Sequence, residues 1–188
     1  INAERIKLST TRASLWIAVT VAALSLVLAA AQGLLADRAA LVEPERSAIG
    51  VAVFGVPVLM VLASMTVTAE YRSGMIRTTF IAAPNRTMVL IAKAVVVSVF
   101  SAIYAGVLVV GSVGVARLVR TSPTAAYLSL PEVRHVVEAV AIYAGLAAVL
   151  GVGVGALVRA APGAVAVLLL WPLVVEPILG NLPDVAPR

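Results

Sequence analysis

The 188 residues are 62% hydrophobic and only 12% charged, with a mean hydropathy of +1.08, whereas soluble domains are about half apolar and a quarter charged. A water-soluble fold of this size has no room to hide so much apolar surface, and the lack of any cysteine excludes disulfides, thiol catalysis and Cys-based metal sites. Lys plus Arg outnumber Asp plus Glu by 14 to 9, but the basic residues flank apolar runs, a placement that membrane topology requires and nucleic-acid binding does not.

The chain begins at Ile1 rather than Met and ends on a Pro-rich stretch at Arg188, so continuation at either end is expected and any count of spans is a minimum. Residues 13–36 are uncharged; the run is too long for a signal-peptide core of about 7–15 residues and long enough to cross a hydrocarbon layer about 30 Å thick. Further uncharged stretches follow at 47–69, 94–116 and 139–158. A fifth, 160–179, is interrupted near its end by Glu176 and Pro177. Backbone groups in lipid must bond within their own segment, and the runs lack the period-two alternation of a membrane barrel, so each is expected to be an α-helix. The expected fold is an all-α integral membrane protein with at least five transmembrane helices, forming a single transmembrane domain over residues 1–188.

Orientation follows from the bases beside the spans. Arg5, Lys7 and Arg12 precede the first span, and Arg72, Arg77, Arg86 and Lys93 lie between the second and third. Both segments are expected on the cytoplasmic side, with Arg159 in the short fourth connection. The first connection sets Asp37, Glu43 and Glu45 against Arg38 and Arg46, which suits the outside. Arg117, Arg120 and Arg134, with Glu132, lie between spans three and four; alternation puts them outside, against the rule.

Catalytic patterns are missing. There is no GxxxxGK[ST] phosphate loop, HExxH or GxSxG, and the one histidine, His135, has no companion at metal-ligand spacing. Gly151, Gly153 and Gly155 resemble a dinucleotide turn only superficially, because they sit inside an apolar span rather than after a strand. Gly151 and Gly155 instead give a small-xxx-small face for close helix packing, or the ordinary glycine content of membrane helices. Pro57 is expected to kink the second span. Glu176, beside Trp171 and between Pro172 and Pro177, either lines a pathway near the outer end of span five or rests in the headgroups with Trp171 as anchor. Glu138, at the outer start of span four, has the stronger claim to be interfacial.

The most informative segment joins spans two and three: AEYRSGMIRTTFIAAPNR over residues 69–86, leading to Ala92 and Lys93. It reads as a charged span end, then a short interfacial stretch whose apolar residues share no clean helical face. Pro84 then stops that stretch and Asn85 caps the next helix. The pattern EYRSGMIRTT at 70–79, with Pro84-Asn85-Arg86 and Ala92-Lys93, resembles the first cytoplasmic loop of the permease subunits of bacterial type-2 ATP-binding-cassette (ABC) exporters. Glu4-Arg5-Ile6-Lys7-Leu8, with Arg12 and Trp16, is similar to that family's N-terminal amphipathic lead-in, and residues 155–163 with Arg159 resemble its short turn between spans four and five. Met75 departs mildly from a family threonine.

This resemblance implies a six-span exporter half, its sixth span lying beyond Arg188, paired with a second permease copy or homologue. It would be driven by separate cytoplasmic ATPase subunits that bind ATP and Mg2+, with no cofactor on this chain. Glu70, Arg72, Met75, Ile76, Arg77, Phe80 and Arg86 would then be the coupling residues in contact with the ATPase, or else ordinary topology-setting charges with their apolar neighbours. The implied substrate is a hydrophobic or amphipathic drug, lipid or lipopeptide leaving the cytoplasm or inner leaflet of a bacterial cell membrane. Two other classes of function compete: a non-transporting membrane scaffold or immunity-type subunit, and an intramembrane enzyme. The enzyme would need facing carboxylates or histidines, where the sequence offers only scattered single ones.

Overall fold

The structure, a computed structural model, describes residues 12–35, 44–73, 86–119 and 130–170. Helix α1 covers Arg12–Leu35. Helix α2 (Pro44–Gly50) runs through a π-helical turn (Val51–Gly55) into α3 (Val56–Ser73). Then come α4 (Arg86–Val119), α5 (Leu130–Val158) and α6 (Ala161–Leu170). Among the described residues only Arg159 and Ala160 lie outside helices, so the molecule is all-α. Among the described residues three rods are long and apolar enough to cross a membrane: Pro44–Arg72, Thr87–Val119 and Pro131–Val158. Ala18–Leu34 within α1 and Ala161–Leu170 are shorter apolar helices. The N-terminal lead-in, the centre of the 69–86 segment and everything from Trp171 onward, Glu176 included, lie outside the described residues.

The helices outrun the uncharged stretches from which spans were expected. Helix α4 starts at Arg86 rather than near residue 94 and has 34 residues, about 51 Å at 1.5 Å per residue and well beyond the hydrocarbon thickness. Helix α5 starts at Leu130 rather than near 139. Charge limits how much of a helix can sit in lipid, but a helix ends only where its backbone is interrupted. Pro84 and Asn85, the stop and cap expected from the sequence, lie outside the described residues.

The irregularity expected at Pro57 takes the form of the π-turn in front of it. The Val56 N–H donates to the Val51 carbonyl, five residues back. Pro57 itself has no N–H for the Val53 carbonyl and its ring would crowd that group, so the turn widens there.

The packing is inverted relative to a soluble protein. Fully buried side chains include Ser25, Ser64, Ser101, Ser112 and Thr68 beside Leu59, Val51, Val56, Val67 and Val109. Large apolar groups point outward, among them Trp16, Phe54, Ile103, Leu118, Ile142 and Leu157. Lipid tails are as apolar as leucine, so nothing drives large apolar groups inward; small residues face other helices because they let backbones approach. Several hydroxyls bond back to their own helix, as Ser64 Oγ does to the Val61 carbonyl (2.7 Å) and Thr66 Oγ1 to the Ala63 carbonyl (2.7 Å).

Contacts between helices fix their relative directions. Helix α1 runs parallel to α4: Tyr104 donates its hydroxyl to the Ala18 carbonyl, Gly111 faces Leu26 and Gly33 faces Ala116. The α2–α3 rod is antiparallel to α1, with Gly50 on Leu28 and Gly55 on Val21. Helix α5 is antiparallel to α4, with Gly145 on Ser98 and Gly106 on Val137. The spans therefore alternate in direction, and the end of α3, the start of α4 and the α5–α6 turn gather at one end of the bundle. Helix α5 leans on both α3 and α4, whereas α3 and α4 touch each other little.

Candidate functional site

Polar chemistry concentrates at the end where α3 finishes and α4 begins. Lys93 is 2% exposed and Glu70 7%. The Lys93 ammonium sits 2.9 Å from Glu70 Oε1 and donates to the Thr66 carbonyl at 3.0 Å. Lys93 thus joins its own helix to two successive turns of α3. A lysine whose role is only to set topology extends its flexible stem to the headgroup layer. Lys93 instead turns inward. Burial makes the pair asymmetric in energy: an ion pair so placed contributes little net stability, yet removing one partner costs about 3–5 kcal/mol because a lone charge stays buried.

Beside this pair, the turn between α5 and α6 closes onto α3. Arg159 has φ of 56°, a left-handed conformation at a position after a helix end that glycine usually fills. Its N–H donates to the Gly155 carbonyl at 3.1 Å, and the Ala164 N–H reaches the Ala160 carbonyl at 3.0 Å to start α6. Pro162 falls in the first turn of α6, where its missing N–H costs nothing. The left-handed geometry costs a non-glycine residue about 1–2 kcal/mol. In partial offset, the Arg159 guanidinium lies over the Tyr71 ring, 5.7 Å from its centroid, a contact worth about 0.5–1 kcal/mol where exposed.

The seam that carries α5 along α3 is made by glycine. A Cβ on Gly151 would collide with the Met60 carbonyl and stand 3.1 Å from the Ala63 Cβ; one on Gly155 would stand 2.8 Å from the Ser64 oxygen. Gly153, between them, has nothing within 4 Å. The glycine run is thus the interior of a membrane helix, with one face pressed on α3 and the other open.

The residues singled out in the sequence are distributed as follows. Glu70 is buried against Lys93, and Arg72 is exposed at the end of α3. Arg86 opens α4. Met75, Ile76, Arg77, Phe80 and Glu176 lie outside the described residues. Glu138 is exposed near the start of α5 and accepts a hydrogen bond from Arg134 Nε at 2.7 Å. His135 is exposed on the same turn, and no group of metal-ligating side chains occurs among the described residues. Sequence reasoning had Lys93 only as a basic flank and a motif residue. Its partner is set by the fold: Lys93 stands about two turns into α4, opposite Glu70 in the last turn of the antiparallel α3.

Residues 1–174 match the sequence family described as ABC-2 family transporter protein. No curated protein and no solved structure matches the chain. Membrane subunits of that family generally work with ATP-binding subunits, and their role is transport rather than catalysis. With alternating apolar helices, small-residue seams and a family match over nearly the whole sequence, the chain belongs to the ABC-2 transporters, as a membrane-embedded permease subunit.

Proposed function

We propose that this chain is the permease half of an ABC exporter, paired with a second permease copy or homologue, and that residues 70–86 receive the motion of separate cytoplasmic ATPase subunits. The substrate class would be hydrophobic or amphipathic, moved outward by alternating access. The observation that carries the reading is the gathering of the α3 end, the α4 start and the α5–α6 turn at one end of the bundle. A push on the connecting segment there would reach α3 and α4 directly, and α5 through the helices it packs on. A chain without a phosphate-binding motif is driven by ATP only through a partner, which needs a surface of this kind. Exposed ion pairs contribute only about 0–1 kcal/mol each, so apolar anchors such as Ile76 and Phe80 should carry more of the contact than Arg72 or Arg77.

The test is co-purification of the ATPase subunit with a tagged chain carrying Ile76→Asp and Phe80→Asp together. Membrane insertion should persist while recovery of the ATPase falls to background, and Arg72→Ala alone should reduce it only mildly. A double variant that still holds the ATPase and still transports would remove these residues from the coupling surface.

A further inference from the structure

We propose that Glu70 acts as the inner half of a clamp rather than as a contact for a partner protein, and that Lys93 is its positioning residue. This rests on the coupling role proposed above for residues 70–86. Helices α3 and α4 are the two limbs of that segment, yet they touch little and each leans on α5. Two limbs that touch little and lean mainly on a third helix can spread when the segment between them is pushed, and the push is then lost in separating them. Lys93 closes the gap at the point where the limbs leave the bundle. Its ammonium holds Glu70 at 2.9 Å and the Thr66 carbonyl at 3.0 Å, and both side chains are shut away from solvent.

Three features distinguish this arrangement from a chance surface pair. First, the lysine bonds a backbone carbonyl as well as a carboxylate, so it reads the position of the α3 backbone and not only a mobile side chain. Second, the pair is almost fully enclosed, so salt screens it little. Third, the Glu70 carboxylate faces into the bundle, whereas Arg72, two residues on, is exposed. The two charged residues of one turn are thus divided: Arg72 is available to a partner, and Glu70 ties the limbs together. The clamp makes α3 and α4 move as one body, so that displacement of the segment tilts both spans.

The chain has no native cysteine, which permits a readout that needs no known substrate. Ala48 is buried in α2, toward the opposite end of the bundle. In an Ala48→Cys chain co-expressed with its ATPase subunit, maleimide labelling is measured with and without ATP plus vanadate, beside thermal stability and ATPase recovery. Glu70→Gln and Lys93→Met should each lower stability and weaken the ATP-dependent change in labelling by roughly fivefold or more without loss of ATPase recovery. The exchange Glu70→Lys with Lys93→Glu should restore both. The neutral pair Glu70→Gln with Lys93→Met leaves no lone buried charge; it should fold and still show the weakened response.

A neutral pair with an undiminished ATP response overturns the clamp, even if its stability has changed. Loss of ATPase recovery in Glu70→Gln that the exchange cannot restore also overturns it, by placing Glu70 on the partner. Absence of any ATP-dependent labelling in the unaltered complex would instead defeat the coupling role itself, and the clamp with it.

Discussion

Gly155 of α5 lies so close to Ser64 of α3 that a Cβ there would stand 2.8 Å from the Ser64 carbonyl oxygen and 3.1 Å from its Cα. The obstacle is backbone, which cannot rotate away, so alanine at 155 must push two spans apart. Overpacking of this kind costs about 1–3 kcal/mol. Gly153, two residues back on the same helix, meets nothing within 4 Å, and alanine there gains the roughly 0.5–1 kcal/mol by which it favours a helix over glycine. Gly155→Ala should therefore lower the thermal stability of the purified chain in detergent, while Gly153→Ala should leave it unchanged or raise it. Equal effects at the two positions would show that α5 does not use this face against α3.

The pair of glycines also shows how far the sequence could be read. Their separation of four marks a small face, because that spacing returns to the same side of a helix, but nothing local says which helix lies against it. The all-α class was legible, since uninterrupted apolar length is enough to demand helices; of the five spans expected, three are matched by helices long and apolar enough to cross among the described residues. The helix ends were not legible: α4 begins at Arg86, well before its uncharged stretch, because a charge such as that on Lys93 does not end a regular backbone. The Lys93–Glu70 pair was hidden for a related reason. The partners are 23 positions apart, and only the antiparallel course of α3 and α4 brings them together. Each charge taken alone is an ordinary span flank.

Arg159 sets a conformational cost against a contact. Its φ of 56° disfavours any side chain, by about 1–2 kcal/mol, and its guanidinium recovers part of that over the Tyr71 ring. Arg159→Gly should consequently leave thermal stability within about 1 kcal/mol of the parent or slightly above it, because relief of strain and loss of the contact nearly cancel. Arg159→Val removes the contact and keeps the strain, with a branched side chain least suited to positive φ, so it should be clearly destabilising. The same two substitutions in a Tyr71→Ala background separate the contributions: Arg159→Gly should then become stabilising, since no ring contact remains to be lost. A double-variant chain in which glycine still brings no gain would mean that the turn is not strained.

The basic residues decide which end of the bundle should face the cytoplasm. Tyr71 with Arg159, and Glu70 with Lys93, place the α3–α4 connection and the α5–α6 turn at one end. The α1–α2 and α4–α5 connections then fall at the other, because α1 runs parallel to α4 and antiparallel to the α2–α3 rod. This relative arrangement leaves only two orientations in the membrane. The end with the α3–α4 connection, taken with the N-terminal segment, carries eight basic residues: Arg5, Lys7, Arg12, Arg72, Arg77, Arg86, Lys93 and Arg159. The other carries five: Arg38, Arg46, Arg117, Arg120 and Arg134. Bases near span ends hold their segment in the cytoplasm, and acidic neighbours count for little, so the richer end should be inside despite the arginines around the α4–α5 connection. Single cysteines introduced at Ala39, Ser73 and Ser122 test this with an impermeant maleimide on intact cells. Ala39→Cys and Ser122→Cys should label directly, and Ser73→Cys only after permeabilisation. The opposite pattern would invert the protein and move residues 70–86 out of reach of any cytoplasmic ATPase; external labelling of Ser73→Cys together with Ala39→Cys would contradict the alternation of the spans themselves.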